Sequence, residues 1–434
     1  MKSVTRSGKR RQGRPVAVTT GLVLALTLAA CGGGRGNEEA AAESGSLAEV
    51  PGFDGETFTV PMLTVTSGPV AAAAAPNLAG MQAYIEQLNA AGGIAGKYPI
   101  DLVVRDTEYN AGKAAQAYDS VKDDAVLLGN VFGTPIVQSL KDRIEADQLL
   151  ALPTSFAADY VHHPALMMTD APYETHLLAG VDYAIGQAGG DPTVCGVGGE
   201  GALQETVTQA LDYGSKEAGY TVATVVGIPP TATDFTPYVQ QLQSADCDVV
   251  GIVAVGEPTV AGLLAKASQL AYAPQWVGTS AQFVASMQDS PAFDYIAENY
   301  IGIGATTTYG DVENGGEAME KLVAAHDEFS PDVPPAYQFV GGYAAMMAVD
   351  KLLTAAVENG DVSRAGLRET LASFEELDFE GLAYPWTWGE PGDRVPPSKY
   401  LVLKPTKGAP GGQTDVERDL DVPDYVVDYP FPEA

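Results

Sequence analysis

The sequence predicts an α/β protein of two lobes, each a parallel sheet flanked by helices. Two observations carry that expectation. From Thr57 to Phe156, strand-like and helix-like segments alternate in the order β-α-β-α, the pattern of a parallel sheet covered by helices on both faces. After a less regular stretch, Ala157–Pro172, the alternation restarts and runs to Gly278. Two four-strand units of about 110 residues each therefore follow one another, a length at which each can close its own core.

In the first unit, Phe58–Val65 is a β-rich run. Leu78, Met81, Tyr84, Ile85 and Leu88 then recur at helical spacing and stop at Gly92-Gly93. Ile100–Val104 reads as the second strand and Ala111–Val121 as a helix. Ala125–Leu128 reads as a strand with Gly129–Pro135 as its loop, Ile136–Ala146 as a helix, and Leu149–Leu152 as the fourth strand. The second unit opens with helix Glu174–Gly186. Strands Thr193–Val197, Val222–Val226, Val249–Val255 and Gln275–Gly278 follow, separated by helices Leu203–Ala218, Phe235–Leu242 and Pro258–Ala271. Residues 300–383 read as mostly helical (Ala318–Phe329, Tyr337–Asn359, Val362–Phe374), and strand material returns at Gly381–Trp388 and Tyr400–Leu403. Residues 411–434 hold seven acids, no Lys and the single Arg418, and read as an extended acidic C-terminal appendage, with docking of Tyr425-Val426-Val427 and Tyr429 against a lobe as the alternative. The expected lobes are 51–171 with 304–383, and 172–303 with 384–410.

The N-terminus carries an address. Residues 1–14 include six bases and no acid, and the apolar run Val16–Ala30 follows. At about 15 residues it falls short of the roughly 20 that span a bilayer, and its basic flank and small terminal residues describe a secretory signal. Arg10-Arg11 is followed by Gln12-Gly13, without the hydrophobic residues of a twin-arginine signal. Leu28-Ala29-Ala30-Cys31 resembles the lipobox of bacterial lipoproteins. That resemblance implies cleavage before Cys31, acylation of Cys31 and an extracytoplasmic protein held to the membrane by its lipid. Residues 31–50, rich in Gly, Ala and Glu, read as a flexible tether.

Removing the six bases of residues 1–14 takes the formal charge from −32 to −38. So acidic a chain disfavours nucleic acid and anionic lipid surfaces as partners. Two cysteines remain beyond Cys31, namely Cys195 and Cys247, each in or beside a predicted strand of one sheet. A disulfide is favoured if those strands are neighbours; otherwise both are small buried hydrophobes. Chemistry finds little support. The four histidines (His162, His163, His176, His326) form no His-x-x-x-His pair, and neither Cys-x-x-Cys nor Gly-x-Ser-x-Gly occurs. No metal and no cofactor is expected. Gly196-Val-Gly198-Gly-Glu-Gly201 matches G-x-G-x-x-G, but the next strand ends Val225-Val226-Gly227 without the acid that would meet a ribose.

Ligands of open α/β sheets bind beyond the carboxyl ends of the strands. In the first lobe this nominates Ser67-Gly68, Asp106-Thr107, Asn130–Thr134 (with Phe132 and Gly133) and Thr154-Ser155-Phe156. In the second it nominates Gly198–Leu203 with Glu200, Gly227–Pro229, Gly256-Glu257, and Thr279–Gln282 with Ser280 and Gln282. Amides and hydroxyls at helix N-termini suit a hydrogen-bond acceptor such as a carboxylate.

Ser67-Gly68-Pro69, the segment Tyr84–Gly96, Asp106, Leu152–Phe156 and Asp234–Val250 together resemble the leucine/isoleucine/valine-binding branch of type I periplasmic-binding proteins, over about residues 56–405. The resemblance implies two Rossmann-like lobes joined by three hinge strands, a monomer closing on a small molecule for an ABC permease. Departures from the pattern are equally informative. Ser280 stands where amino-acid-binding relatives place an acid for the ligand's ammonium. Leu203, Gly256 or Glu257, and a residue within Ala71–Ala75 stand where they place aromatics, and Phe156 replaces a threonine. Glu200 and Glu257 are candidates to supply the missing charge. Phe132 and Phe156 suggest an apolar or aromatic wall, and so an amino-acid-like molecule or an apolar or aromatic carboxylate as ligand. The alternatives are a ligand-sensing lipoprotein signalling to a membrane receptor, and an exported enzyme on the same scaffold.

Overall fold

The computed structural model describes residues 47–433, except 69, 254–256, 280, 281 and 284 and the side chains of 257 and 258. The signal peptide, Cys31 and most of the tether lie outside the described residues.

The first sheet is parallel throughout, in the order β2-β1-β3-β4, from β1 (Phe58–Thr64), β2 (Ile100–Asp106), β3 (Leu128–Phe132) and β4 (Ala151–Thr154). Helices α1 (Ala71–Ala90), α2 (Ala111–Asp119) and α3 (Thr134–Ala146) connect its strands. The chain then enters the second sheet through α4 (Tyr173–Ala188). Strands β5 (Thr193–Gly199), β6 (Thr221–Ile228), β7 (Val249–Val253), β8 (Gln275–Thr279) and β9 (Tyr300–Gly304) alternate with α5 (Ala202–Ala218), α6 (Thr236–Ser244), α7 (Glu257–Gln269) and α8 (Phe293–Asn299). It returns to the first core with α9 (Val312–Phe329), α10 (Tyr337–Asn359), α11 (Arg364–Ala372) and a small hairpin of β10 (Glu376–Leu377) and β11 (Trp386–Thr387). Finally β12 (Tyr400–Pro405) and β13 (Gln413–Leu420) complete a seven-stranded sheet, β13-β12-β9-β8-β7-β5-β6, and α12 (Asp424–Val427) follows.

The chain crosses between the sheets three times: after β4, after β9 and before β12. The second and third crossings pair antiparallel, with the Thr307 amide donating to the Leu382 carbonyl (2.8 Å) and the Tyr384 amide to that of Ala305 (2.9 Å). Helix α10 is long and apolar enough to cross a membrane, but its apolar residues pack into the first core. It crosses α1 so closely that a Cβ on Gly80 would lie 2.1 Å from the Phe339 carbonyl oxygen, and one on Gly342 2.0 Å from that of Asn77. Only glycine permits this approach, and it brings the polar residues Asn77 and Gln338 to the end of the first sheet.

Cys195 and Cys247 are joined by a disulfide, their Cα atoms 5.7 Å apart; β5 and β7 are indeed neighbours. Trp276 is fully buried in the second lobe and donates to the Tyr295 hydroxyl (2.7 Å).

Four features differ from the expectation. The third strand is Leu128–Phe132, so Asn130 and Phe132 belong to the strand and the loop shrinks to Gly133. Tyr300–Gly304, inside the stretch read as helical, is strand β9, between β12 and β8. The start of 384–410 does not belong with the second lobe: Trp386 and Trp388 meet at a tilt, ring centroids 5.4 Å apart, within the first core, and Arg394 lies over Trp388 and donates to the carbonyls of His163 and Leu166. Residues 411–434 are no appendage. Their first half is edge strand β13, tied by Arg418 to Asp311 and Asp415. The rest runs over both lobes: Val426 and Tyr425 pack on the second, Tyr429 meets Tyr213, and Phe431 packs on the first. The His162 ring faces the carbonyls of Pro432 (Nδ1, 3.0 Å) and Arg394 (Nε2, 3.3 Å).

Burying Val426 alone is worth about 1.5–3 kcal/mol. Ending the chain after Leu420 should therefore lower the Tm by several degrees in calorimetry; an unchanged thermogram would show that the strap contributes nothing. A second prediction comes from α4. Burial pushes the Glu174 carboxyl, which accepts the Ala158 amide, up to about 8 and the His176 imidazole down to about 3. From pH 4.5 to 8 the folded chain keeps a proton on Glu174 that the unfolded chain has lost, so this contribution to stability falls as pH rises. From pH 6.5 down to 3 the unfolded chain binds a proton on His176 that the folded chain refuses, so stability falls as pH drops. Glu174→Gln keeps the acceptor and should remove the loss above pH 6.5, measured as Tm against pH.

Candidate ligand-binding site

At the carboxyl ends of the parallel strands of both sheets lies a cavity of about 1030 Å³ of empty space, partly open to solvent. Its first-lobe wall comes from α1 (Ala73, Asn77, Met81), the strand ends (Phe132, Leu152, Pro153, Thr154), Gly133 and Thr134, and α10 (Gln338, Gly341, Ala345). The crossings add Phe156, Thr169, Asp170, Tyr173 and Thr306. The second lobe adds Leu203, Val253 and Gln282. Among the described residues no Lys or Arg lines it, and no three His, Cys, Asp or Glu side chains converge to hold a metal ion.

The polar groups of the wall are held by one another. Thr154 Oγ1 donates to Asn130 Oδ1 (2.8 Å) and lies 3.4 Å from Asn77 Oδ1. Thr134 and Ser155 share a hydroxyl hydrogen bond of 2.7 Å. Gln282 Nε2 donates to Thr279 Oγ1, and the Thr306 amide to the Tyr337 hydroxyl. Gln338 Nε2 donates to the Phe283 carbonyl (2.9 Å) and so spans the cleft from α10 to the second lobe. Its Oε1, like Asn130 Nδ2, is buried without a partner among the described residues. Phe156 meets Tyr173 edge-on at 5.8 Å. Burial pushes the phenols of Tyr109, Tyr173 and Tyr337 up, so all three are neutral.

The nominated residues therefore divide. Phe132, Gly133, Thr134, Thr154, Phe156 and Gln282 line the cavity; Asn130 and Ser155 stand behind it as hydrogen-bond supports. Ser67 does not line it. Its hydroxyl donates to Asp106 (2.5 Å), which also accepts the amides of Thr66 and Glu108. Burial raises the Asp106 pKa, but these hydrogen bonds outweigh it and hold the carboxyl at about 2. Glu200 is exposed and lines a separate outer pocket. Ser280 and the Glu257 side chain lie outside the described residues. The Gly196–Gly201 motif packs secondary structure: a Cβ on Gly198 would lie 2.5 Å from the Cα of Gln204 at the start of α5.

Sequence reasoning missed Asn77, Tyr109, Asp170, Tyr173, Tyr337 and Gln338. One signal was available for Asn77, the first polar side chain after the Ala71–Pro76 run of a helix destined for the core. Tyr109 lies two residues past the nominated Asp106-Thr107.

Residues 57–409 match the family described as periplasmic binding protein, and the chain belongs to that family. Solved structures share the fold over most of their length. A fatty acid ABC transporter substrate-binding protein from Thermomonospora curvata is 23% identical, with a TM-score of 0.82 over 89% of this chain and 98% of its own. A branched chain amino acid ABC transporter from Thermus thermophilus with bound valine is 16% identical, at 0.72 over 85% and 97%. A solute binding protein from R. palustris in complex with 4-hydroxybenzoate is 15% identical, at 0.69 over 85% and 99%. At these identities the likeness is one of fold. No curated protein matches.

Proposed function

We propose that this chain is the substrate-binding lipoprotein of an ABC importer, anchored at Cys31 outside the cytoplasm. It takes up a small organic molecule with an apolar body and delivers it to the permease without altering it. The observation that carries this reading is the interlobe cavity, largely apolar and sited at the ends of the parallel strands of two sheets in a periplasmic binding protein. The ligands named for similar folds (a fatty acid, valine, 4-hydroxybenzoate) span the range an apolar cleft of this kind accepts. Met81, Phe132, Leu152, Phe156 and Leu203 favour the apolar end of that range. Asp170, at a crossing, is the one acid among the described lining residues. A ligand carboxylate would sit away from it, near the Thr134 hydroxyl, which is free to donate when Ser155 donates to it. Binding works by closure: a ligand touching both walls stabilises the closed lobes by its differential affinity for that state.

A thermal-shift panel tests the reading. At a hundredfold excess over Kd a bound solute adds about 2.7 kcal/mol, a shift of several degrees. Fatty acids or hydroxybenzoate should produce it, and leucine and valine should not. If no solute shifts the Tm and none is retained in equilibrium dialysis, the reading is wrong. The anchor has its own test. Cys31→Ser should move the protein from the membrane fraction to the soluble one, and continued membrane retention would refute lipidation at this residue.

A further inference from the structure

We propose that Tyr109 and Leu203 form a partition that ends the ligand cavity and sets the length of the molecule it takes. This rests on the ligand-binding reading above. Beside the main cavity lies an outer pocket of about 540 Å³ of empty space, bounded among others by Pro135, Glu200 and Thr259. The two spaces share two lining residues, Tyr109 from the first lobe and Leu203 from the second. Both spaces are mostly apolar, with Asp170 in the wall of the inner one and Glu200 and Thr259 in that of the outer one.

The placement of Tyr109 is built with effort. Glu108 and Tyr109 both have left-handed backbone, with φ of 50° and 56°, a conformation that strains non-glycine residues. The loop is pinned on both sides of the strain. Asp106 accepts the Glu108 amide (2.9 Å), the Thr107 amide donates to the Thr64 carbonyl (2.8 Å), and Asn110 caps α2 by accepting the Lys113 amide (3.0 Å). The ring then rests on Gly133, where an added Cβ would lie 2.3 Å from Tyr109 Cε2. A strained backbone, a pinned loop and a glycine seat hold one aromatic ring between two spaces. The hydroxyl of Ser67 thereby acquires a role at one remove, since its bond to Asp106 steadies the loop that carries Tyr109.

The test uses straight-chain fatty acids from hexanoate to stearate, and the matching alcohols, titrated calorimetrically into wild type, Tyr109→Gly and Tyr109→Phe. Glycine suits the left-handed backbone at position 109, so removing the ring leaves the loop without strain. Wild type should gain affinity with chain length and then lose it beyond a cut-off. Tyr109→Gly should move that cut-off to longer chains, each additional methylene that enters gaining about fourfold. Tyr109→Phe should keep the wild-type cut-off, because the ring and not its hydroxyl is the barrier. A cut-off that is the same in wild type and Tyr109→Gly overturns the partition and leaves solute binding standing. Failure of every chain to bind either protein also overturns it, and the solute panel then decides the binding reading separately.

Discussion

The two sheets can be separate bodies of one chain because the strands that pass between them satisfy each other's backbone. Thr307 and Tyr384 donate amides across the second and third crossings to Leu382 and Ala305. An extended chain running between lobes would otherwise leave these groups without partners at the edge of a cavity. The same residues reach outward from the crossing. The Thr306 amide holds the Tyr337 hydroxyl at the head of α10, and the Tyr384 hydroxyl donates to Asp419 and accepts its amide at the sheet edge. The cavity floor is thus part of the hinge. Asp170, Tyr173 and Thr306 line the space in which a ligand would sit and belong to the segments that would bend.

The parallel strands were legible because βα alternation is a long, repeated signal and the inner strands, such as β1, β5 and β7, are buried on both faces. What escaped notice was what lacks such a signal. Tyr300–Gly304 is a five-residue apolar run directly after a helix, and periodicity cannot tell such a run from buried helix. β13 buries only its end residues, Gln413 and Leu420, and carries charge between them. That is the composition of a protected edge strand, and in sequence it resembles a solvated tail. The strap beyond it depends on contacts with Tyr213 and His162, both more than 200 positions away, a separation no local pattern encodes.

The site was legible where backbone topology decides position. Thr134, Thr154, Phe132 and Phe156 follow from the rule of strand ends. It was illegible where a side chain reaches the cavity from a helix face or from strained backbone. Asn77 and Gln338 arrive through the close crossing of α1 and α10 at Gly80 and Gly342. Tyr109 arrives through a left-handed loop that its own residue type disfavours. Of the positions that depart from the amino-acid-binding pattern, Leu203 and Phe156 line the cavity.

The tryptophans sit far from the business of the cleft. Trp276 is sealed in the second core against Tyr272 and Tyr295, and Trp386 and Trp388 lie against each other in the first. None lines the cavity, which is faced instead by Tyr109, Tyr173 and Tyr337. The indoles are therefore fixed optical markers of the two lobes, one in the second and a pair in the first. Their emission reports the integrity of each core. Light that responds to occupancy must come from the cavity tyrosines, or from energy they pass to those distant acceptors as the lobes approach.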